Sequence, residues 1–164
     1  MRNARLRKVH EGLRQYVRGY KARRARSKSK AIFIGVTGSS GKSTVTALLG
    51  HILDGHGSVY PQILANTIRS LVATLYKRMK KNGEVDYVIF EAGASGVGSI
   101  KPMAEMLLPH VAIVTMVRLE HFGAFKTLEN VAREKRALVD ALQPGGFAVL
   151  NADDPLVLGM AAGT

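Results

Sequence analysis

Gly35-Val36-Thr37-Gly38-Ser39-Ser40-Gly41-Lys42-Ser43-Thr44 is the stretch whose residue types and spacing carry chemistry. Glycines let successive backbone N–H groups converge on an anion, and Lys42 adds a point charge. The hydroxyl after the lysine, Ser43, stands where it can hold Mg²⁺ on the β- and γ-phosphates of ATP. The spacing is TGxxGKST rather than the strict GxxxxGK[ST]: Gly35 lies one position early, and Val36 occupies the place of the first glycine. The candidate cradle is Thr37, Gly38, Ser39, Ser40, Gly41, Lys42, Ser43 and Thr44. A Gly/Ser-rich turn with a chance lysine is the bland alternative, and the flanks argue against it. Apolar Ala31-Ile32-Phe33-Ile34 precedes the loop, and a helical pattern through Val45, Leu48, Leu49 and Ile52 follows. Strand, loop and helix in that order add the helix N-terminus to the anion site.

An ATP site also needs a carboxylate near its Mg²⁺. Glu91 closes the run Asp86-Tyr87-Val88-Ile89-Phe90 as such an acid would. Glu120-His121 follows the next apolar run, and this position sets His121 apart from His10, His51, His56 and His110, which read as ordinary histidines.

The elements that must position these groups alternate along the chain. Strands are expected at Ser58-Val59-Tyr60 before Pro61, at 86–91, at His110–Val117 and at Phe147–Leu150. Helices are expected from Ser43 to about Asp54, from Ile63 to Met79, and from about Thr127 to Leu142 with Leu128, Val131, Ala132, Leu138, Val139 and Leu142 inward. The pattern predicts an open, mostly parallel α/β sheet with helices on both faces. Its ligand rim lies at the carboxyl ends of the strands and gathers 35–44, 91–98, 118–123 and 151–154.

The charge is segregated. Residues 1–30 hold 12 of the 24 Lys/Arg and one acid, a net +11, whereas residues 31–164 come to +1. The basicity therefore belongs to a leader, and the pI alone does not make the domain a nucleic-acid binder. Leu6, Val9, Leu13, Tyr16, Val17 and Tyr20 space as an amphipathic helix over 2–24, followed by a polar link at Arg26–Lys30. Anionic membrane, nucleic acid and a targeting role compete as readings, beside simple packing of the stripe on the domain or on further chain. The chain divides into this leader, 1–30, and an ATP-binding domain, 31–164, expected to be truncated on its C-terminal side. Without cysteine, a secretory signal or a membrane-length apolar run, the sequence points to the cytoplasm.

The glycine loop, Glu91-Ala92-Gly93-Ala94, Glu120-His121-Phe122 with Phe125 and Leu128-Glu129, Ala132-Arg133-Glu134-Lys135, and Leu150-Asn151-Ala152-Asp153-Asp154 follow one another in an order that resembles the central ATPase domain of Mur ligases. The likeness is nearest to the branch that adds D-alanyl-D-alanine to a muramyl tripeptide, and it covers roughly 31–164. It implies an ATP-dependent ligase of cell-wall synthesis that joins a carboxylate to an amine through an acyl phosphate. On that resemblance Lys42 binds phosphates, Ser43 and Glu91 hold one Mg²⁺, and His121 reaches a second. Lys135 matches a lysine that many members carbamylate into a metal ligand, although its neighbours alone make it a solvent-facing helical lysine. Asn151 and Asp154 would lie near the adenine. Three features depart from the family: Met116 replaces an asparagine, Ser95-Gly96 replaces Asn-His, and Arg69 stands at a usually small position. The family's N-terminal nucleotide-sugar domain and closing C-terminal domain would belong to a longer parent. Another P-loop NTPase or kinase, or a non-catalytic module acting through the leader, is the alternative.

Overall fold

A computed structural model describes residues 2–63, 67–78, 85–120 and 122–162. Strands β1 (Ile32–Thr37), β2 (Val59–Gln62), β3 (Tyr87–Glu91), β4 (Val111–Val114) and β5 (Phe147–Leu150) form one parallel sheet in the order β2-β3-β1-β4-β5. The helices are α1 (Arg2–Lys28), α2 (Lys42–Asp54), α3 (Ile68–Ala73), α4 (Ile100–Leu107), α5 (Phe122–Phe125), α6 (Leu128–Val139) and α7 (Pro155–Leu158). This is the α/β architecture that the alternating pattern predicts.

β1 lies at the centre and is buried along its length after Ile32. A strand covered on both faces must be apolar without alternation, which is why its run is continuous. On one face Ile34, Val36 and Ile89 pack against Val45, Leu49 and Leu53 of α2. On the other, Phe33, Val88, Phe90, Ala112 and Val114 meet Leu71, Leu75, Ile100, Met103, Leu107, Val131 and Leu138. After β1 the chain winds outward to β2 and back to β3, then crosses β1 to β4 and β5. The loop after β1 therefore sits where the winding reverses, at the crevice that such sheets use for ligands.

Several boundaries move. Pro61 lies inside β2, where an edge strand tolerates its missing N–H. The helix expected from Ile63 starts at Ile68, because Thr67 and Ser70 form a reciprocal cap there. It passes into a π-helical turn over Thr74–Arg78, and Met79 and the cations after it lie outside the described residues. The strand expected over His110–Val117 pairs only through Val111–Val114. In α6, Val131, Leu138 and Val139 are buried as expected, but Leu128 is exposed. Helix α4 has no counterpart in the sequence reading; Pro102 sits in its first turn, where a proline costs no hydrogen bond. The leader helix runs on through Lys28, so the supposed link is mostly helical and its Arg26 is buried.

Candidate functional site

Sheet register sets the site. Val36 pairs with Glu91 across β1 and β3, which brings the glycine loop level with the acid that ends β3. Thr37, fully buried, donates its hydroxyl to the Ala92 carbonyl at 2.9 Å, and the Ala92 N–H returns a bond to Val36 O at 2.8 Å. Ser43 then donates its Oγ–H to Glu91 Oε2 at 2.9 Å. The two groups expected to share a Mg²⁺ are thus in direct contact, with Glu91 only 3% exposed.

The loop is shaped from the β4 side. Thr115 donates its hydroxyl to Ser40 O, and Ser39 N–H donates to Met116 O at 2.9 Å. Ser39 Oγ donates to Arg118 O and accepts from Arg118 N–H, both at 2.9 Å. Met116 thus meets the loop through its backbone carbonyl. Gly38 has φ +147°, and a Cβ there would lie 1.9 Å from Thr115 Oγ1, so only glycine fits. Gly41 takes the left-handed conformation at φ +80° and starts α2 without a side-chain cap. The first-turn N–H groups of α2 thus face the loop with no side-chain oxygen in their way. Lys42 is folded over the loop, its ammonium 2.6 Å from Gly38 O and 3.5 Å from Ser39 O. Ser40 and Thr44 are exposed beside it.

Lys135 overturns the solvent-facing reading. It is 1% exposed, and its Nζ meets Glu120 Oε1 at 2.5 Å. Burial pulls its pKa down, the nearby Lys42 charge adds to this, and Glu120 opposes it. An ammonium in low dielectric needs such a partner, so Glu120 anchors it. Glu134, also buried, accepts from the Gly98 and Ile100 N–H groups and from Ser99 Oγ, which fastens the start of α4 to α6.

Asn151 donates to Thr115 O at 2.8 Å and accepts from Asp153 N–H at 3.0 Å. Asp154 caps α7, accepting from Leu156 and Val157 N–H, and also binds Val117 N–H at 2.8 Å and Arg118 Nη1 at 3.1 Å. Burial works against its charge, yet these donors hold its pKa below the usual carboxylate range. His121 lies outside the described residues. Among the described residues no three His, Cys, Asp or Glu side chains converge as a metal cluster. The cradle, Glu91 and Lys135 share one rim; Thr115 and Glu134 support it, as do Arg118 and Glu120 of the expected rim stretch 118–123, and none of the four was assigned a role from sequence.

Fold and site together define a P-loop-type α/β domain, with a glycine loop at the switch point and an acid beside its hydroxyl. The chain belongs to the Mur ligase middle domain family, whose model matches residues 36–163. It is 34% identical over 133 residues to the UDP-N-acetylmuramoyl-tripeptide--D-alanyl-D-alanine ligase of Mycobacterium leprae, covering 80% of this chain and 25% of that protein. MurF from Acinetobacter baumannii superposes with TM-score 0.79 at 25% identity, covering 87% of this chain and 31% of that one. MurF ligase from Thermotoga maritima in complex with ADP gives 0.76 at 26% identity, covering 85% and 32%. The chain thus spans about a quarter of the length of such curated relatives.

Proposed function

We propose that this chain is the ATP-binding domain of an ATP-dependent ligase that joins a carboxylate to an amine through an acyl phosphate. The observation that carries the reading is the 2.9 Å contact between Ser43 Oγ and Glu91 Oε2, which unites the loop's hydroxyl with the acid of the adjacent strand. The residues fit Mg-ATP. A first helical turn without a side-chain cap and two glycines in conformations other residues avoid suit phosphate oxygens. Mg²⁺ keeps several waters and asks for only one or two protein oxygens, which Ser43 and Glu91 supply.

ATP would contribute the γ-phosphoryl group that activates the carboxylate before the amine displaces phosphate. The chain's own residues neutralise and position. Lys42 would turn from the loop carbonyls to the phosphates and offset charge that gathers as two anions approach. His121 would reach a second Mg²⁺. A lysine with a lowered pKa holds more of its neutral amine, the form that takes up CO₂, so Lys135 is suited to become a carbamate ligand. Asn151 and Asp154 would border the adenine. The relatives' names support a nucleotide-sugar peptide as acid and a D-alanyl dipeptide as amine.

The remaining domains of a longer parent would bind both substrates and close over ATP. The 164-residue chain alone should bind Mg-ATP weakly and make no amide. In the full-length parent, ADP release should depend on a carboxylate and, with the amine present, leave no phosphorylated product. Release without a carboxylate, or a stable phosphorylated product, would instead indicate another P-loop NTPase or a kinase.

A further inference from the structure

Leu13, Tyr16, Val17 and Tyr20 of α1 are 60%, 75%, 40% and 60% exposed, whereas Ala22 is fully buried and Arg26 is 6% exposed. At about 100° per residue the four apolar side chains share an arc of roughly 100°. Gly19, Ala22, Ala25 and Arg26, the positions buried or half-buried, centre on the opposite side. Leu13, Tyr16 and Val17 therefore face away from the domain, and packing on this domain does not account for them, while Tyr20 borders a groove shared with Glu105, Met106 and Leu108. The helix is also fixed in rotation. Arg26 donates Nε–H to Leu107 O and Nη2–H to Leu108 O, and its guanidinium lies 3.9 Å from the Phe33 ring centroid. Lys21 sits over the Tyr76 ring at 5.7 Å.

We propose that α1 docks the domain on an anionic lipid bilayer. Exposed Arg14 and Lys28 border the stripe on one side and Arg23 on the other, placed to reach headgroups while the apolar arc enters the interface. Tyr16 and Tyr20 suit that depth, with apolar rings and polar tips. The leader's net +11 against the domain's +1 matches an anionic surface and opposes pairing of two such helices. A nucleic-acid face would be lined with cations throughout, whereas here Leu13, Tyr16, Val17 and Tyr20 fill the arc and Arg24 enters it only beyond them. Because α1 is clamped to the C-terminal end of α4, at the amino edge of the sheet, docking leaves the loop–Glu91 rim open at the other edge.

The test is cosedimentation of the 164-residue chain with vesicles of phosphatidylcholine and phosphatidylglycerol in equal parts, and with phosphatidylcholine alone. Binding is expected to the mixed vesicles only. A variant carrying Leu13→Gln, Tyr16→Ser, Val17→Gln and Tyr20→Ser, all exposed positions, should bind about tenfold more weakly or worse. Replacing Arg14, Arg23 and Lys28 with Gln should cost about fivefold per cation. Trp emission from Tyr16→Trp should shift to the blue on the mixed vesicles. Failure to bind them, a stripe variant that binds as well as the parent, unshifted Trp emission, or capture of single-stranded RNA without vesicle binding would each overturn the proposal.

Discussion

Gly38→Ala is the perturbation whose effect the packing of the loop defines best. The added Cβ would meet Thr115 Oγ1 at 1.9 Å, Thr115 Cβ at 3.1 Å and Met116 N at 3.2 Å. Thr115 is β-branched and stiff at χ1, and its hydroxyl is committed to Ser40 O, so it cannot simply swing aside. Backbone strain at φ +147° contributes about 1–3 kcal/mol, and loss of the Thr115–Ser40 bond about 1 kcal/mol. Gly38→Ala should therefore cost about 2–4 kcal/mol, shared between stability and nucleotide affinity. Thr115→Ala alone should cost about 1 kcal/mol. Because Thr115→Ala removes the worst overlap, the double variant should lose less than the two singles added together, by about 1 kcal/mol or more. Urea unfolding followed by circular dichroism, with titration of a fluorescent ATP analogue, measures both parts. An unchanged unfolding midpoint and affinity in Gly38→Ala, or strict additivity, would refute the claim that β4 shapes the loop.

Other expectations rest on single contacts. Lys42→Ala should weaken ATP binding at least tenfold, given about 1.5–3 kcal/mol for a charged hydrogen bond; calorimetry with retained affinity would count against the cradle. In the full-length parent, Lys135→Ala should abolish ligase activity and short-chain acids should restore part of it. Absence of rescue in a folded variant would leave Lys135 as a partner of Glu120 only. Asp154 has a folded-state pKa below its unfolded value, so its stabilisation is full above about pH 4 and is lost as pH falls through the folded pKa. The stability gap between the parent and Asp154→Asn should then narrow in acid; a gap constant from neutral pH to about pH 2 would contradict this.

What the sequence made legible is what is local. The loop's glycines, the strand before it and the helix after it lie within a short stretch, and Glu91 announces itself by ending an apolar run. The hold on that loop is not local: Thr115 reaches Ser40 from just beyond the end of β4, and Glu120 and Lys135 meet across a turn and a helix. Lys135 sits among charged neighbours that gave it the pattern of a surface residue, and only burial against the rim reveals otherwise. Arg26 was hidden for the same reason, since a cation in a basic run carries no mark of the carbonyls it will bind. Pro102 concealed α4 because proline in a first helical turn looks, in sequence, like a break. The leader helix was legible, but which side of it would face the domain was not.

The most direct test of the nucleotide site is calorimetric titration of ATP with and without Mg²⁺, on the parent chain and on Glu91→Gln. If Ser43 and Glu91 share the ion, Mg²⁺ should tighten ATP binding by about tenfold or more in the parent and leave Glu91→Gln almost unaffected. Equal tightening in both proteins would contradict a metal site between the loop and the end of β3.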